Sequence, residues 1–129
     1  MAIHSLVKRA AVAAATAAVA VIPMAGTASA NTDAGYVGYG QANNWNAVYC
    51  VQAEINYFTY QHGVGYPRLV EDGYWGPATY NAVIMFQNQL ISYTKHADGE
   101  VGPLTGNMLI ANGDPTMYGN CRNALPTTY

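Results

Sequence analysis

Residues 72–81 read DGYWGPATYN, and residues 98–107 read DGEVGPLTGN. We call these segments the first repeat and the second repeat; they share Asp, Gly, Gly, Pro, Thr and Asn at the same positions. Asp-Gly is a turn signal, and Gly-Pro followed by Thr is typical of a helix start, with proline at the first helical position. The sequence therefore predicts a turn that begins a helix, used twice in one small helical domain.

The shared residues of the repeats have structural explanations. The glycine after Asp, which is Gly73 or Gly99, can take the positive φ that a tight turn needs. The apolar residue before Gly-Pro, which is Trp75 or Val101, is expected to enter the core at the start of the helix. The threonine falls in the first helical turn, where its hydroxyl can bond a free backbone group. The repeats are thus predicted to be folding devices, and none of these residues needs a catalytic role.

Residues 1–30 have the pattern of a secretory signal peptide. Lys8 and Arg9 form a short positive region, an uncharged apolar run covers 10–22, and the small residues at 28–30 suit signal peptidase. The alternative is an uncleaved membrane anchor, but a stable span needs about 20 apolar residues and this run is short and alanine-rich. We therefore expect a secreted, extracellular protein of bacterial origin, whose mature chain begins near residue 31.

The mature chain is small enough for one domain and is poor in charge. Its three cations, Arg68, Lys95 and Arg122, face seven acidic residues, which gives a formal charge of −4. Nucleic acids and anionic membranes are bound by clusters of Lys and Arg, so we expect neither as a partner of the mature protein. All 11 tyrosines lie in this part of the chain, where their rings can bind carbohydrate or peptide or cover a small core.

Two cysteines remain after the signal, Cys50 and Cys121. Secretion favours a disulfide between them, which ties the C-terminal tail to the first helix. Closing a loop of about 70 residues stabilises a chain by up to roughly 4 kcal/mol on the chain-entropy estimate. A reactive thiol or a metal-bound thiol is the alternative, but neither mature histidine lies at ligand spacing from a cysteine.

Apolar periodicity and turn residues divide the mature chain into an arm, three helices and a tail. Residues 31–43 are rich in Gly, Asn and Tyr and predict an extended, partly flexible N-terminal arm. Helices are predicted from about 44 to 60, from 77 to about 92 and from 103 to about 111. The tail, 112–129, is rich in Gly, Asn and Pro and is expected to be free after Cys121. The domain proper is thus predicted at 44–111.

Each predicted helix has one apolar face. Cys50 and Glu54 lie off the face of the first helix, and this position suits a cysteine that reaches outward to the tail. The residues expected to face the core are Val48, Val51, Ile55 and Phe58, then Ala82, Val83, Phe86 and Leu90, then Leu104, Met108 and Leu109.

The run VxxVQxxI at 48–55, DGYWGPATYNAVxxFQ at 72–87 and DGxVGPLTxxML at 98–109 resembles the type-1 peptidoglycan-binding domain family. That family's pattern is an apolar-Gln pair on a helix, a DG-x-aromatic-G-x-x-T turn, an AV-x-x-FQ helix and a second DG-x-VG-P-x-T turn. The resemblance covers residues 45–110. It implies a small all-α fold, a three-helix peptidoglycan-binding-like domain, and a non-catalytic module that holds bacterial peptidoglycan without a cofactor or a metal.

The chain departs from the family in two respects. The connection from the first helix to the first repeat contains an insert, 57–71, and this changes the expected ligand-binding surface. No catalytic domain follows the motif in this sequence, so the resemblance implies a stand-alone binding protein. It is expected to be a monomer and to act alone or beside a separate cell-wall hydrolase.

A shallow, tyrosine-lined groove is the predicted ligand site, and stem peptide or glycan is its predicted occupant. Tyr66 and Arg68 of the insert, Tyr74 of the first repeat, and Tyr80 and Gln87 of the second helix are the candidate ligand-binding residues. The planar fork of Arg68 matches the carboxylate of a stem peptide. The second repeat has Glu100 and Gly106 where the first has Tyr74 and Tyr80. Because the repeats differ at these positions, contacts with the ligand are expected there.

The sequence also allows two other function classes. A small cell-wall hydrolase or peptidase would centre on His62, His96 and Asp98, or on a carboxylate pair such as Glu71 and Asp72. We expect neither, because the ligand spacing is poor and adjacent turn residues point apart. The third class is a secreted inhibitor or adaptor that uses the same fold to bind another protein.

Overall fold

The computed structural model describes residues 30–90 and 97–128. Apart from Ala30, the predicted signal peptide lies outside the described residues, as do residues 91–96 and Tyr129. Four helices form the described part of the chain, and they are α1 (Trp45–Gln61), α2 (Pro77–Leu90), α3 (Pro103–Asn112) and α4 (Tyr118–Ala124). The all-α class is therefore confirmed, while the prediction of three helices is corrected by α4. None of these helices has the length and apolar character that crossing a bilayer requires.

Helix α1 is the centre of the fold. The Asn44 side chain caps its first turn by accepting the Asn46 N–H at 2.9 Å. Because α1 contacts α2, α3 and α4, it is buried on several sides. Cys50 and Glu54, which lie off the predicted apolar face, are consequently 0% and 1% exposed; Cys50 does reach the tail, but this side of α1 is buried as well.

The core forms where the predicted apolar faces of α1 and α2 meet. Phe58 and Phe86 pack edge to face with ring centroids 5.0 Å apart. The fully or almost fully buried apolar residues of these two helices include Val48, Val51, Ile55, Phe58, Ala82, Val83 and Phe86. Each large side chain buried in this way stabilises the fold by roughly 1.5–3 kcal/mol. In α3 the prediction holds for Leu109, but Leu104 is 49% exposed.

The N-terminal arm is anchored to the core. Val37 is 2% exposed and forms an antiparallel bridge with Val101 of the second repeat. The Val37 N–H donates to the Val101 carbonyl at 3.1 Å, and the Val101 N–H donates to the Val37 carbonyl at 2.8 Å. The interpretation of the arm as partly flexible is therefore corrected at Val37.

The C-terminal tail is also part of the fold. The Cys50–Cys121 disulfide is present, as predicted, and joins α1 to α4 with Cα atoms 5.4 Å apart. Beyond it, Leu125 is 0% exposed, and Asn31 donates its backbone N–H to Thr127 Oγ1 at 3.0 Å. The tail can approach α3 closely because Gly106 has no side chain; an added Cβ would collide with the Pro126 carbonyl. The prediction of a free tail is wrong.

Candidate ligand-binding surface

The first repeat is held by one glutamine of the preceding helix. The Gln52 side-chain amide donates to Asp72 Oδ1 at 2.9 Å, to the Tyr74 carbonyl at 3.1 Å and to Thr79 Oγ1 at 3.1 Å. Its carbonyl oxygen accepts the Gly73 N–H at 2.9 Å. A side chain of α1 therefore fixes both the turn and the first turn of α2.

The second repeat is built in the same way. The Gln87 amide donates to Asp98 Oδ1 at 3.0 Å, to the Glu100 carbonyl at 2.9 Å and to Thr105 Oγ1 at 3.1 Å. Its carbonyl oxygen accepts the Gly99 N–H at 2.9 Å. The two repeats are thus structural copies, and α2 holds the start of α3 as α1 holds the start of α2.

This network corrects the expected position of Gln87. The side chain was predicted to line a ligand groove, but Gln87 is 2% exposed, and its amide group is already bonded within the second repeat. The structure therefore places it in the interior.

An aromatic ring covers the glycine of each turn. Gly73 and Gly99 have φ of +71° and +74°, as the sequence predicted. A Cβ added to Gly73 would collide with the Trp45 ring, and one added to Gly99 would collide with the Tyr80 ring. Trp45 also donates its ring N–H to the Asp72 carbonyl at 2.9 Å. Tyr80, a predicted ligand residue, therefore helps to form the second turn.

Sequence reasoning missed Trp45 as a member of this arrangement. Trp45 lies seven residues before Gln52, and Tyr80 lies seven residues before Gln87. Two helical turns separate residues at this spacing, so each ring lies on the same side of its helix as the glutamine. The pattern of an aromatic residue, six residues and a glutamine precedes both repeats. It was the sequence signal that could have identified Trp45 as a counterpart of Tyr80.

The first repeat borders a shallow depression of about 260 Å³, which we call the first-repeat depression. Tyr74, 73% exposed, stands at its rim. The turn gives this surface a charged edge, because the Tyr74 N–H and the Gln52 amide hold the pKa of the Asp72 carboxyl below its usual value. Its other lining residues include Leu69, Val70, Trp75, Gly76 and Pro77.

The other predicted ligand residues lie elsewhere. Arg68 lines a separate depression of about 250 Å³ beside Tyr57 and Tyr60, and it forms an exposed ion pair with Glu71 at 2.9 Å. Tyr66 is half-buried and packs against the core. The structure therefore does not bring the five candidates into one groove, and Tyr74 is the candidate that faces the first-repeat depression.

Tyr39 links the arm to the repeats and was also missed. Its ring lies 5.2 Å from the Tyr80 ring and 6.4 Å from the Trp75 ring, centroid to centroid. Trp75 was predicted to be a core plug; it packs against the core but is only partly buried. Val101, its counterpart in the second repeat, is 0% exposed. The arm covers the second repeat, and this explains the difference.

Of the three residues at the centre of the hydrolase hypothesis, the structure describes His62 and Asp98. His96 lies outside the described residues. Asp98 is bonded to Gln87 within its turn, and the His62 ring nitrogen Nδ1 lies 3.0 Å from the Phe58 carbonyl oxygen. Within residues 30–90 and 97–128, no three His, Cys, Asp or Glu side chains are grouped closely enough to hold a metal ion.

Glu54 is the carboxyl with the largest change in acidity. Burial raises the pKa of Glu54 to about 7, opposed by the Asp114 N–H that Glu54 accepts. A raised carboxyl pKa is a common property of catalytic acids. At 1% exposure, however, Glu54 is covered by the connection between α3 and α4, and its raised pKa bears on the stability of the fold.

No protein-family model, curated protein or solved structure matches this chain. Function is therefore inferred from the geometry of the two repeats and of the first-repeat depression.

Proposed function

We propose that this chain is a non-catalytic peptidoglycan-binding domain that is secreted and retained at the bacterial cell wall. The observation that carries the proposal is the exposed aromatic side chain of Tyr74 beside the first-repeat depression, on a turn held by Gln52. A rigid aromatic side chain gives contact area at low conformational-entropy cost. The sequence resemblance to the type-1 peptidoglycan-binding family supports the same ligand.

The use of the repeat side chains supports binding rather than bond cleavage. The Asp and Thr side chains of each repeat hydrogen-bond to the glutamine of the preceding helix, Gln52 or Gln87. The same glutamine also bonds to the turn backbone. The chemistry of these side chains is thus explained by the fold, and the surface that remains is mainly aromatic and apolar. The disulfide is compatible with an oxidising, extracellular compartment.

Retention on insoluble peptidoglycan tests the proposal. We expect the purified mature chain to sediment with peptidoglycan, and Tyr74→Ala to bind about tenfold more weakly, since truncation of an aromatic contact residue can cost more than 1 kcal/mol. Tyr60→Ala is the matched control: Tyr60 is 80% exposed and lies at the end of α1. This control is expected to bind as the unchanged chain does.

Two outcomes would contradict the proposal. A folded chain that does not sediment with peptidoglycan would favour the adaptor or inhibitor class. Release of soluble wall fragments by the chain, together with bound zinc, would favour the hydrolase class.

A further inference from the structure

An extended segment of the N-terminal arm, around Val37, pairs with the backbone of the second repeat. Val37 exchanges two backbone hydrogen bonds with Val101. The contact continues on both sides: a Cβ on Gly38 would lie 3.3 Å from the Glu100 side chain, and one on Gly102 would lie 3.0 Å from the Tyr36 ring. The arm therefore runs antiparallel to residues 100–102.

The equivalent position in the first repeat is open. By the shared spacing, Trp75 corresponds to Val101 and Gly76 corresponds to Gly102. Within the described residues, the Trp75 backbone N–H and carbonyl have no hydrogen-bond partner. A Cβ added to Gly76 meets no atom of residues 30–90 and 97–128 within 4 Å, in contrast to the covered Gly102. The Trp75 backbone is thus unpaired at the position where, in the second repeat, the arm pairs with Val101.

We propose that the first-repeat depression binds one extended residue of a peptidoglycan stem peptide, which pairs antiparallel with the Trp75 backbone as Val37 pairs with Val101. This inference rests on the proposed function and names the part of the wall that is recognised. The added residue completes two backbone hydrogen bonds, which is the means by which peptides add to an exposed strand edge.

The chemistry of the depression favours peptide over glycan. One extended peptide residue offers an N–H and a carbonyl that point the same way, as pairing with the Trp75 backbone needs. The N–H and the carbonyl of a sugar's acetamido group belong to one trans amide and point in opposite directions. Leu69 and Val70 give the lining apolar surface that suits the methyl groups of alanine residues in a stem peptide. Asp72 lies at the edge of the depression; the turn bonds use its Oδ1, so Oδ2 is the oxygen that can pair with an amino group.

Amide hydrogen exchange measures the predicted pairing directly. In the free protein, the Val101 amide is expected to be protected by its bond to Val37, while the Trp75 amide exchanges freely. Digestion of peptidoglycan with an amidase supplies two probes, free stem peptides and glycan chains without peptides. A single residue pair in a shallow site binds weakly, so each probe is used at about 1 mM or above. We expect stem peptides to slow exchange at Trp75 at least fivefold and glycan chains to leave it unchanged.

A substitution at Gly76 blocks the site without disturbing the turn. Gly76 has no positive φ and no neighbour near its added Cβ, so Gly76→Leu is expected to fold and to fill the space that Tyr36 occupies at Gly102. Gly119→Leu is the matched control, because Gly119 lies on α4 and is equally open. We expect Gly76→Leu to weaken stem-peptide binding at least fivefold, and Gly119→Leu to have no effect.

The outcomes separate this inference from the proposed function. If peptidoglycan retains the chain but only glycan chains bind, or if Gly76→Leu folds and binds stem peptides normally, the inference is wrong and the proposed function stands. If peptidoglycan does not retain the folded chain, both fail. Protection of Trp75 that rises with protein concentration alone would show that another copy's arm occupies the site, and this result also overturns the inference.

Discussion

The carboxyl group of Glu54 is buried inside the fold, and this burial makes it a weaker acid. It is 1% exposed; Oε2 accepts the Asp114 N–H, and Oε1 is buried with no partner within the described residues. A buried, unpaired carboxylate oxygen is unfavourable, so burial raises the pKa of Glu54, and the nearby negative charge of Asp114 adds to this effect. At the residue scale, Glu54 therefore makes stability depend on pH.

We predict that stability falls as the pH rises from 4.5 to about 7. The unfolded chain releases the Glu54 proton near pH 4.5, whereas the folded chain keeps it until the pKa of about 7. The folded state therefore binds more protons in this window, and the free energy of unfolding decreases with pH. The full change is on the order of 3 kcal/mol at 1.4 kcal/mol per pKa unit. Urea unfolding at several pH values measures it.

Glu54→Gln is the control for this prediction. Its side-chain carbonyl can still accept the Asp114 N–H, but it has no proton to release, so we expect stability to be nearly constant across the same window. The Asp72 carboxyl acts in another range, because its lowered pKa matters only below its ordinary 3.8. A variant with the same pH slope as the unchanged chain would refute the assignment to Glu54.

At the scale of elements, two glutamines join the helices. Gln52 on α1 fixes the start of α2, and Gln87 on α2 fixes the start of α3, each through four hydrogen bonds of the same kind. The connection lengths differ, since Asp72 follows its glutamine by 20 residues and Asp98 follows its own by 11. The turn geometry is independent of the loop that leads to it, so the insert does not disturb the fold.

We predict that Gln52→Ala and Gln87→Ala destabilise the fold by similar amounts. Each removes the partner of a buried glycine N–H and of a buried threonine hydroxyl, at a cost of about 1–3 kcal/mol. Chemical unfolding curves measure the loss. Gln89→Ala is the control, because Gln89 is exposed on α2, and we expect a change within about 0.5 kcal/mol. Markedly unequal losses at Gln52 and Gln87 would contradict the equivalence of the repeats.

At the scale of the whole molecule, the arm and the tail complete a core that three helices leave open. Val37 and Leu125 are buried, with exposures of 2% and 0%, and neither lies within the predicted domain boundaries of 44–111. The disulfide closes a separation of 71 residues, which stabilises the chain by up to roughly 4 kcal/mol. The folding unit is therefore longer than the family-like motif.

We predict that a fragment containing only residues 44–111 does not unfold cooperatively. It lacks the Val37–Val101 bridge, the disulfide partner of Cys50, and Leu125, and a domain this small has little stability to lose. The chain from residue 31 to its end, with the disulfide formed, is the control and is expected to give a single cooperative transition. Thermal unfolding followed by circular dichroism compares the two. A cooperative transition of the fragment at the same temperature would show that the arm and tail are dispensable.

The sequence by itself determined the first three helices, the turns of the two repeats and the disulfide, but not α4. Apolar spacing located α1 and α2, Gly-Pro located the starts of α2 and α3, and Asp-Gly located the positive φ at Gly73 and Gly99. These are local properties: a period of 3.6 residues, a ring that fixes φ, and a residue without a Cβ.

Only the tertiary structure decided which surfaces are covered. Nothing in the sequence of the arm indicates that Val37 pairs with Val101, and nothing at Gln87 alone shows whether its side chain lines a groove or bonds to the second repeat. The first contact joins residues far apart in sequence, and both depend on how the other elements pack around them. The same physical reason leaves the first repeat open beside Trp75 while the arm covers the second.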